Sequence, residues 1–348
     1  MKKRIFLTVT ILILLAAAFL GWELFGPATA FSGSKYYLYI KTGMNYDELL
    51  QLIEKDTVLK NPFVFKILSQ RMDYPANMKA GKYEIKQGMN QIAILRMLRN
   101  GRQTPVNLVI TKLRTKEDLA SLVGKKFECD SLSFIHFLVN KDSLEEYHVD
   151  SNTVMTLIFP NTYTYFWNTG PSRIFKKLFL SYKNFWTNEQ IEKAKEHGLN
   201  PTSAYILASI VEEETNMKED KGKVASVYIN RLSTGMKLAA DPTVKYALRN
   251  FELKRVYDKY LETESPYNTY KYAGLPPGPI CTPSEETIEA VLNAPKTDYL
   301  YFVAKPDFSG YSNFSEKFSQ HLHYAKAYQK ALDEQMKIGQ ALKEGQIK

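Results

Sequence analysis

The sequence predicts an α+β protein in three parts: an N-terminal transmembrane helix, a small α+β module and a larger α+β body. Three observations predict it. An uncharged stretch follows a basic N-terminus, a strand–turn–helix pattern occurs twice at a fixed offset, and a helix of buried character at 201–214 ends in three consecutive glutamates. The 348-residue length fits two or three compact units. The parts are placed at 1–4 for a cytoplasmic tip, 5–25 for the anchor, 33–112 for the module, 113–195 for a middle region packing on the larger part, and 196–348 for that part.

The anchor comes first. Lys2, Lys3 and Arg4 precede an uncharged run of 18 residues from Ile5 to Trp22, close to the ~20 needed to span a bilayer as a helix. The basic flank stays inside, so the body faces outward. Ala28-Thr29-Ala30 offers a signal-peptidase site, but the apolar run is longer than a signal core of roughly 7–15 residues. The reading is a retained single-pass anchor in the cytoplasmic membrane. Cys129 and Cys281 could pair in an oxidising compartment or stay as two thiols.

The module is read from the repeat. IKTGMN at 40–45 and IKQGMN at 85–90 each close a tyrosine-bearing, strand-like stretch: Tyr36 to Ile40, and Gly81 to Ile85. Each then passes through a glycine (Gly43, Gly88) to an asparagine (Asn45, Asn90). Leu49, Leu50 and Ile53 follow in the first copy, and Ile94, Leu95 and Leu98 in the second. This is strand, glycine turn, then an Asn-capped helix with one apolar face. The second copy, opening on Gly81-Lys82-Tyr83, resembles the LysM-like module of certain wall enzymes.

The middle region carries helical patterns at Lys116–Val123, Ser131–Val139 and Ser172–Trp186. Between them lies IFPNTYTYFW at 158–167, which reads either as a strand beside a sugar cleft or as core.

In the C-terminal part, Pro201, Thr202 and Ser203 start a helix. From Ala204 to Val211 only Tyr205 and Ser209 carry a polar side-chain atom, so this helix is buried nearly all round. Glu212, Glu213 and Glu214 end it. Helical spacing puts Glu214 on the face of Leu207, Ile210 and Val211, and Glu213 on that of Ile206, Ser209 and Ile210. Periodicity favours either as the inward carboxylate without choosing. A carboxylate there meets the negative end of the helix dipole. Burial and its neighbours push in the same direction, toward the protonated form that a general acid requires.

Composition narrows the substrate. Net charge is +9, and aromatics make up 13% of the chain, with 23 Tyr and 19 Phe. A basic chain suits anionic polymers or lipid. No zinc finger, RNA-binding aromatic signature or long Lys/Arg block is present, so nucleic acid is not expected as a partner. His321 and His323 form an H-x-H pair without a third clear ligand, so no metal and no cofactor are expected.

Six segments, in order, carry a family resemblance over roughly 200–330: LASIVEEET at 207–215, KVASVYINRL at 223–232, DPTVKYAL at 241–248, SPYNTYKYAGLPPGPI at 265–280, KTDYLYFVA at 296–304 and, most loosely, FSEKFSQH at 314–321. Together they resemble the YceG-like family of endolytic murein transglycosylases. The resemblance implies lytic cleavage of the bond between N-acetylmuramic acid and N-acetylglucosamine in nascent glycan strands. It implies Glu214, immediately before the motif's Thr, as the catalytic residue. The implied partner is the peptidoglycan glycan strand. The short distance from Trp22 to the body near Tyr36 keeps the protein at the membrane surface, so membrane-bound synthases such as penicillin-binding proteins are also expected as partners. Substrate contacts are expected from Asn230, Asp241, Tyr267, Asn268, Thr269 and Tyr270. Asp241 also reads as the cap of a helix with proline at its first position. No second acid has a claim equal to that of Glu214. A muramidase, which hydrolyses the same bond, and a wall-binding scaffold without catalysis are the other readings.

Overall fold

In the computed structural model, which describes residues 2–253 and 255–343, the chain is mixed α+β and mostly helical. The described residues form three two-stranded sheets. It divides into two compact units. One comprises 1–108, 123–130 and 164–171; the other comprises 109–122, 131–163 and 172–348. Two stretches of the middle region thus belong with the first unit.

The first unit opens with α1, Lys2–Phe25, none of whose side chains is buried. It is long and apolar enough to cross a membrane. Its 24 residues span roughly 36 Å, against a hydrocarbon core of about 30 Å.

Strand β1 (Lys35–Ile40) leads to α2 (Tyr46–Lys55) and α3 (Pro62–Arg71). Strand β2 (Gly81–Lys86) leads to α4 (Gln91–Asn100). The two repeated segments are structurally equivalent. Gly43 and Gly88 take φ of 82° and 83°, a left-handed conformation that a β-carbon disfavours. Asn45 accepts from the Glu48 amide at 2.9 Å and Asn90 from the Ala93 amide at 2.8 Å, each satisfying an orphan donor of the helix start. The two strands pair antiparallel with each other, Lys35 opposite Lys86 and Ile40 opposite Gly81. All six apolar residues expected from the repeat are buried, with Leu38, Phe65, Tyr74 and Tyr83 completing the core.

The Ala28-Thr29-Ala30 segment is built into this unit. Ala28 and Thr29 are buried. The Ala28 amide bonds the Met89 carbonyl, the Ala30 amide the Val58 carbonyl, and the Lys60 amide the Ala28 carbonyl.

Onward, β3 (Val106–Ile110) precedes α5 (Lys116–Lys126), α6 (Ser131–Val139) and α7 (Lys141–Leu144). Then come β4 (Asn161–Tyr165), α8 (Pro171–Phe185) and α9 (Asn188–Glu196). The aromatic stretch at 158–167 contains β4; Ile158, Phe159, Tyr163 and Tyr165 are buried, and Phe166 is exposed.

The centre of the second unit is α10, Pro201–Glu214, with every residue from Ala204 to Val211 buried. Asn200 caps it, in a capping box with Ser203. It packs on α9, on α11 (Lys218–Ser233), on α12 (Asp241–Ala247) and on α14 (Glu285–Leu292). The two polar side chains within Ala204–Val211 are both satisfied, as burial demands. The Tyr205 hydroxyl donates to the Ile158 carbonyl. Ser209 Oγ donates to Ile206 and accepts from the Ile280 amide at 3.0 Å. Short α13 (Asp258–Leu261) precedes α14. Strands β5 (Tyr301–Ala304) and β6 (Ser312–Ser315) form an antiparallel hairpin before α15 (Phe318–Lys343). Cys129 and Cys281 are both free thiols.

Candidate active site

The three glutamates at the end of α10 have three different surroundings. Glu212 sits in a polar knot. It accepts from the Thr287 hydroxyl, from Ser284 Oγ at 3.1 Å and from Lys221 Nζ at 3.4 Å. Burial pushes its carboxyl up, but the Thr287 hydrogen bond and the Lys221 charge outweigh that and hold it below the usual range. Glu213 is paired with Lys112 and Arg114, each at 3.1 Å. Both carboxylates are thus committed to holding the fold.

Glu214 differs from both. No cation lies within ion-pairing distance of it among the described residues. Its hydrogen-bond partner is the Tyr228 hydroxyl of α11, which donates to Oε1 at 2.7 Å. Burial pushes its carboxyl up to about 7. The Tyr228 hydrogen bond and the charges of Lys245 and Arg231 oppose the shift, while the Asp241 charge adds to it. Burial favours the neutral acid because a charged carboxylate loses its hydration. The group is therefore poised to give and take a proton near neutral pH.

Sequence reasoning passed over Tyr228. The signal was present: it is a polar tip at the end of Val224–Tyr228, an inward-facing stretch whose other polar residue is Ser226, and it is buried at 1% exposure. A buried phenol needs a partner, and α10 supplies it.

Asp241 does not cap α12. Ala240 holds that place, and Asp241 is the first helical residue. The expected N-cap role fails because its carboxylate is turned to Tyr270, whose hydroxyl donates to Oδ1 at 2.6 Å. The backbone leading in is strained: Ala239 has φ of 48°, which costs a non-glycine residue about 1 kcal/mol. Thr269 holds it there. Its carbonyl accepts from the Ala239 amide at 3.1 Å and its hydroxyl from the Ala240 amide at 3.0 Å. The cluster thus brings together Glu214, Tyr228, Asp241 and Tyr270, with Arg231 and Lys245 in electrostatic reach.

The other expected contacts have partners of their own. Asn268 is fully buried and donates to the Leu261 and Thr263 carbonyls at 2.8 and 2.9 Å. Thr269 is buried under Ala240. The amide of Asn230 donates to the Thr297 and Tyr299 carbonyls at 2.7 and 2.9 Å. It lies about 200° around α11 from Tyr228, beside a cavity of about 460 Å³ that it shares with His197 and Thr297. Tyr267 packs against Tyr246, ring centroids 4.6 Å apart and the planes tilted by 40°. Its hydroxyl lies 3.0 Å from where a β-carbon on Gly278 would stand, and the Asn152 carbonyl oxygen only 2.1 Å away, so the proline-rich loop needs glycine there. Among the described residues no three metal-ligating side chains gather, and the His321 ring stacks on Tyr301.

Comparison with known proteins identifies the family. The YceG-like family profile matches residues 38–327. The endolytic murein transglycosylase of Bacillus subtilis (strain 168) is 30% identical over 309 residues, covering 84% of this chain and 85% of that protein. The endolytic murein transglycosylase of Streptococcus pneumoniae serotype 2 is 28% identical over 312 residues, 78% of this chain and 55% of its own length. A crystal structure of a putative YceG-like protein from Listeria monocytogenes superimposes with a TM-score of 0.55 at 27% identity, covering 83% of this chain and 98% of that one. The chain belongs to the YceG-like family, whose named relatives are endolytic murein transglycosylases.

Proposed function

We propose that this protein is a lytic transglycosylase that cuts peptidoglycan glycan strands internally, with Glu214 as its acid and base. The observation that carries the reading is the contrast among the three glutamates: two pair with cations, and Glu214 alone takes its hydrogen bond from a phenol and has its carboxyl raised to about 7. Protonated Glu214 gives its proton to the glycosidic oxygen between N-acetylmuramic acid and N-acetylglucosamine. The C–O bond breaks and an oxocarbenium-like centre forms on the muramyl C1. The C6 hydroxyl of the same sugar attacks that centre. Glu214, now a carboxylate, takes the hydroxyl proton and returns to its starting state. The product carries a 1,6-anhydro end. Attack within one sugar ring needs no activated water, and proximity lowers the barrier. Tyr228 holds the carboxyl in place and stabilises its charged form between the two proton transfers. Asp241 and Tyr270 line the same site.

Asp241 also favours a second reading. It places another carboxylate in electrostatic reach of Glu214, and two carboxylates are the usual equipment for hydrolysis. A muramidase would release a hydrated end instead.

The wider role rests on the remaining features. The β1–α2–α3–β2 unit supports a LysM-like, glycan-binding role for the module. With α1 retained as an anchor and Lys2–Arg4 inside, the body reaches glycan only near the outer face of the cytoplasmic membrane. Strands are nascent there, so cleavage terminates their elongation beside membrane-bound synthases of the penicillin-binding class.

Substitution separates the carboxylates. Glu214→Gln keeps the size and removes the acid, so strand cleavage falls roughly 10²–10⁴-fold while the fold persists. Loss of activity in Glu213→Gln with Glu214→Gln still active would refute the assignment.

A further inference from the structure

The outer end of α1 is fastened to the starts of two helices in the first unit. Asn61, the cap of α3, donates from Nδ2 to Glu23 Oε2 at 3.2 Å. Asn90, the cap of α4, donates from Nδ2 to the Phe25 carbonyl oxygen at 3.5 Å. Glu23 and Phe25 follow directly on the uncharged run that ends at Trp22. The first turn of α3 is therefore held at the level where α1 leaves the apolar layer.

At that level α3 shows apolar surface to solvent. Phe63 is 69% exposed and Ile67, one turn on, 44%, and their spacing puts both on one face. Lys60 and Lys66 are exposed beside them. Trp22 and Phe25 are exposed at the end of α1, the position where aromatic side chains favour the membrane–water interface. Aqueous exposure of Phe63 has no compensation within the unit. A bilayer surface at the same height supplies one, with acyl chains for Phe63 and Ile67 and anionic headgroups for the two lysines.

We propose that the start of α3, through Phe63, Ile67, Lys60 and Lys66, rests in the headgroup boundary of the phospholipid bilayer that α1 spans. This rests on the reading of α1 as a retained membrane span. A second contact beside the helix fixes the module's tilt and rotation on the membrane, where one helix alone would let it swivel.

The test uses the full chain in vesicles of phosphatidylethanolamine and phosphatidylglycerol, with photoreactive p-benzoylphenylalanine replacing one residue at a time. The positions are Phe63, Leu14 within α1, and Tyr39, which lies toward the far end of the β1–β2 pair. After irradiation, adducts are identified by mass. Lipid adducts at 63 and 14, with none at 39, are expected. Adducts at 14 but not at 63 overturn the contact and leave the anchor standing. Adducts from 63 to a second protein chain in place of lipid also overturn it. Absence of lipid adducts at 14 removes the anchor and the contact together.

Discussion

Two side chains set the proton affinity of Glu214 in opposite directions, and this makes the site testable residue by residue. The Tyr228 hydrogen bond favours the charged carboxylate, whereas the Asp241 charge disfavours it. As the acid, Glu214 must be protonated, so the rate of bond cleavage falls as pH rises through about 7. Tyr228→Phe removes the hydrogen bond, so that alkaline limb moves to higher pH. Its turnover also falls, by about tenfold for ~1.4 kcal/mol of lost positioning. Asp241→Asn removes the negative charge, so the limb moves to lower pH. Rate–pH profiles of the two variants check this, and shifts of the same sign would exclude the arrangement. Helical periodicity in the sequence left Glu213 and Glu214 open. The difference lies in partners far along the chain, Lys112 and Arg114 for one and Tyr228 for the other, and no local pattern encodes them.

At the scale of elements, capping and periodicity made most of the structure readable. Asn45, Asn90 and the Pro201 start were visible because each meets a local need of a helix end. The pairing of β1 with β2 was not visible, since register depends on which strand lies alongside. The YNTY segment shows the same limit. It reads as four polar contacts for sugar, yet Asn268 and Thr269 are buried in the scaffold, while Tyr270 reaches Asp241. Thr269 acts through the backbone it holds. Thr269→Val leaves the Ala240 amide buried without an acceptor, costing about 1–3 kcal/mol, and frees the strained turn that aims Asp241. A lower midpoint in chemical denaturation and a partial loss of activity are expected. Unchanged stability would show that the turn is held by other contacts.

At the scale of the whole molecule, one apolar helix opens the first of two units, and the boundary between that helix and the fold decides how the protein can be cut. The signal-peptidase reading of Ala28-Thr29-Ala30 would remove residues that bond to Val58, Lys60 and Met89. Deletion of residues 1–25 spares those bonds. That shortened chain is expected to cleave purified strands at the full-length rate while losing its effect on strand length in cells. Normal strand lengths from the soluble version would show that tethering is incidental. The central claim, lytic cleavage by a single acid and base, is tested most directly by the chemistry of the new end. Purified strands are digested in water labelled with heavy oxygen, and the products are weighed. The account predicts anhydro-muramyl ends, lighter than the hydrolysed ends by one water and free of label. Ends heavier by one water and carrying the label would contradict it and establish a muramidase.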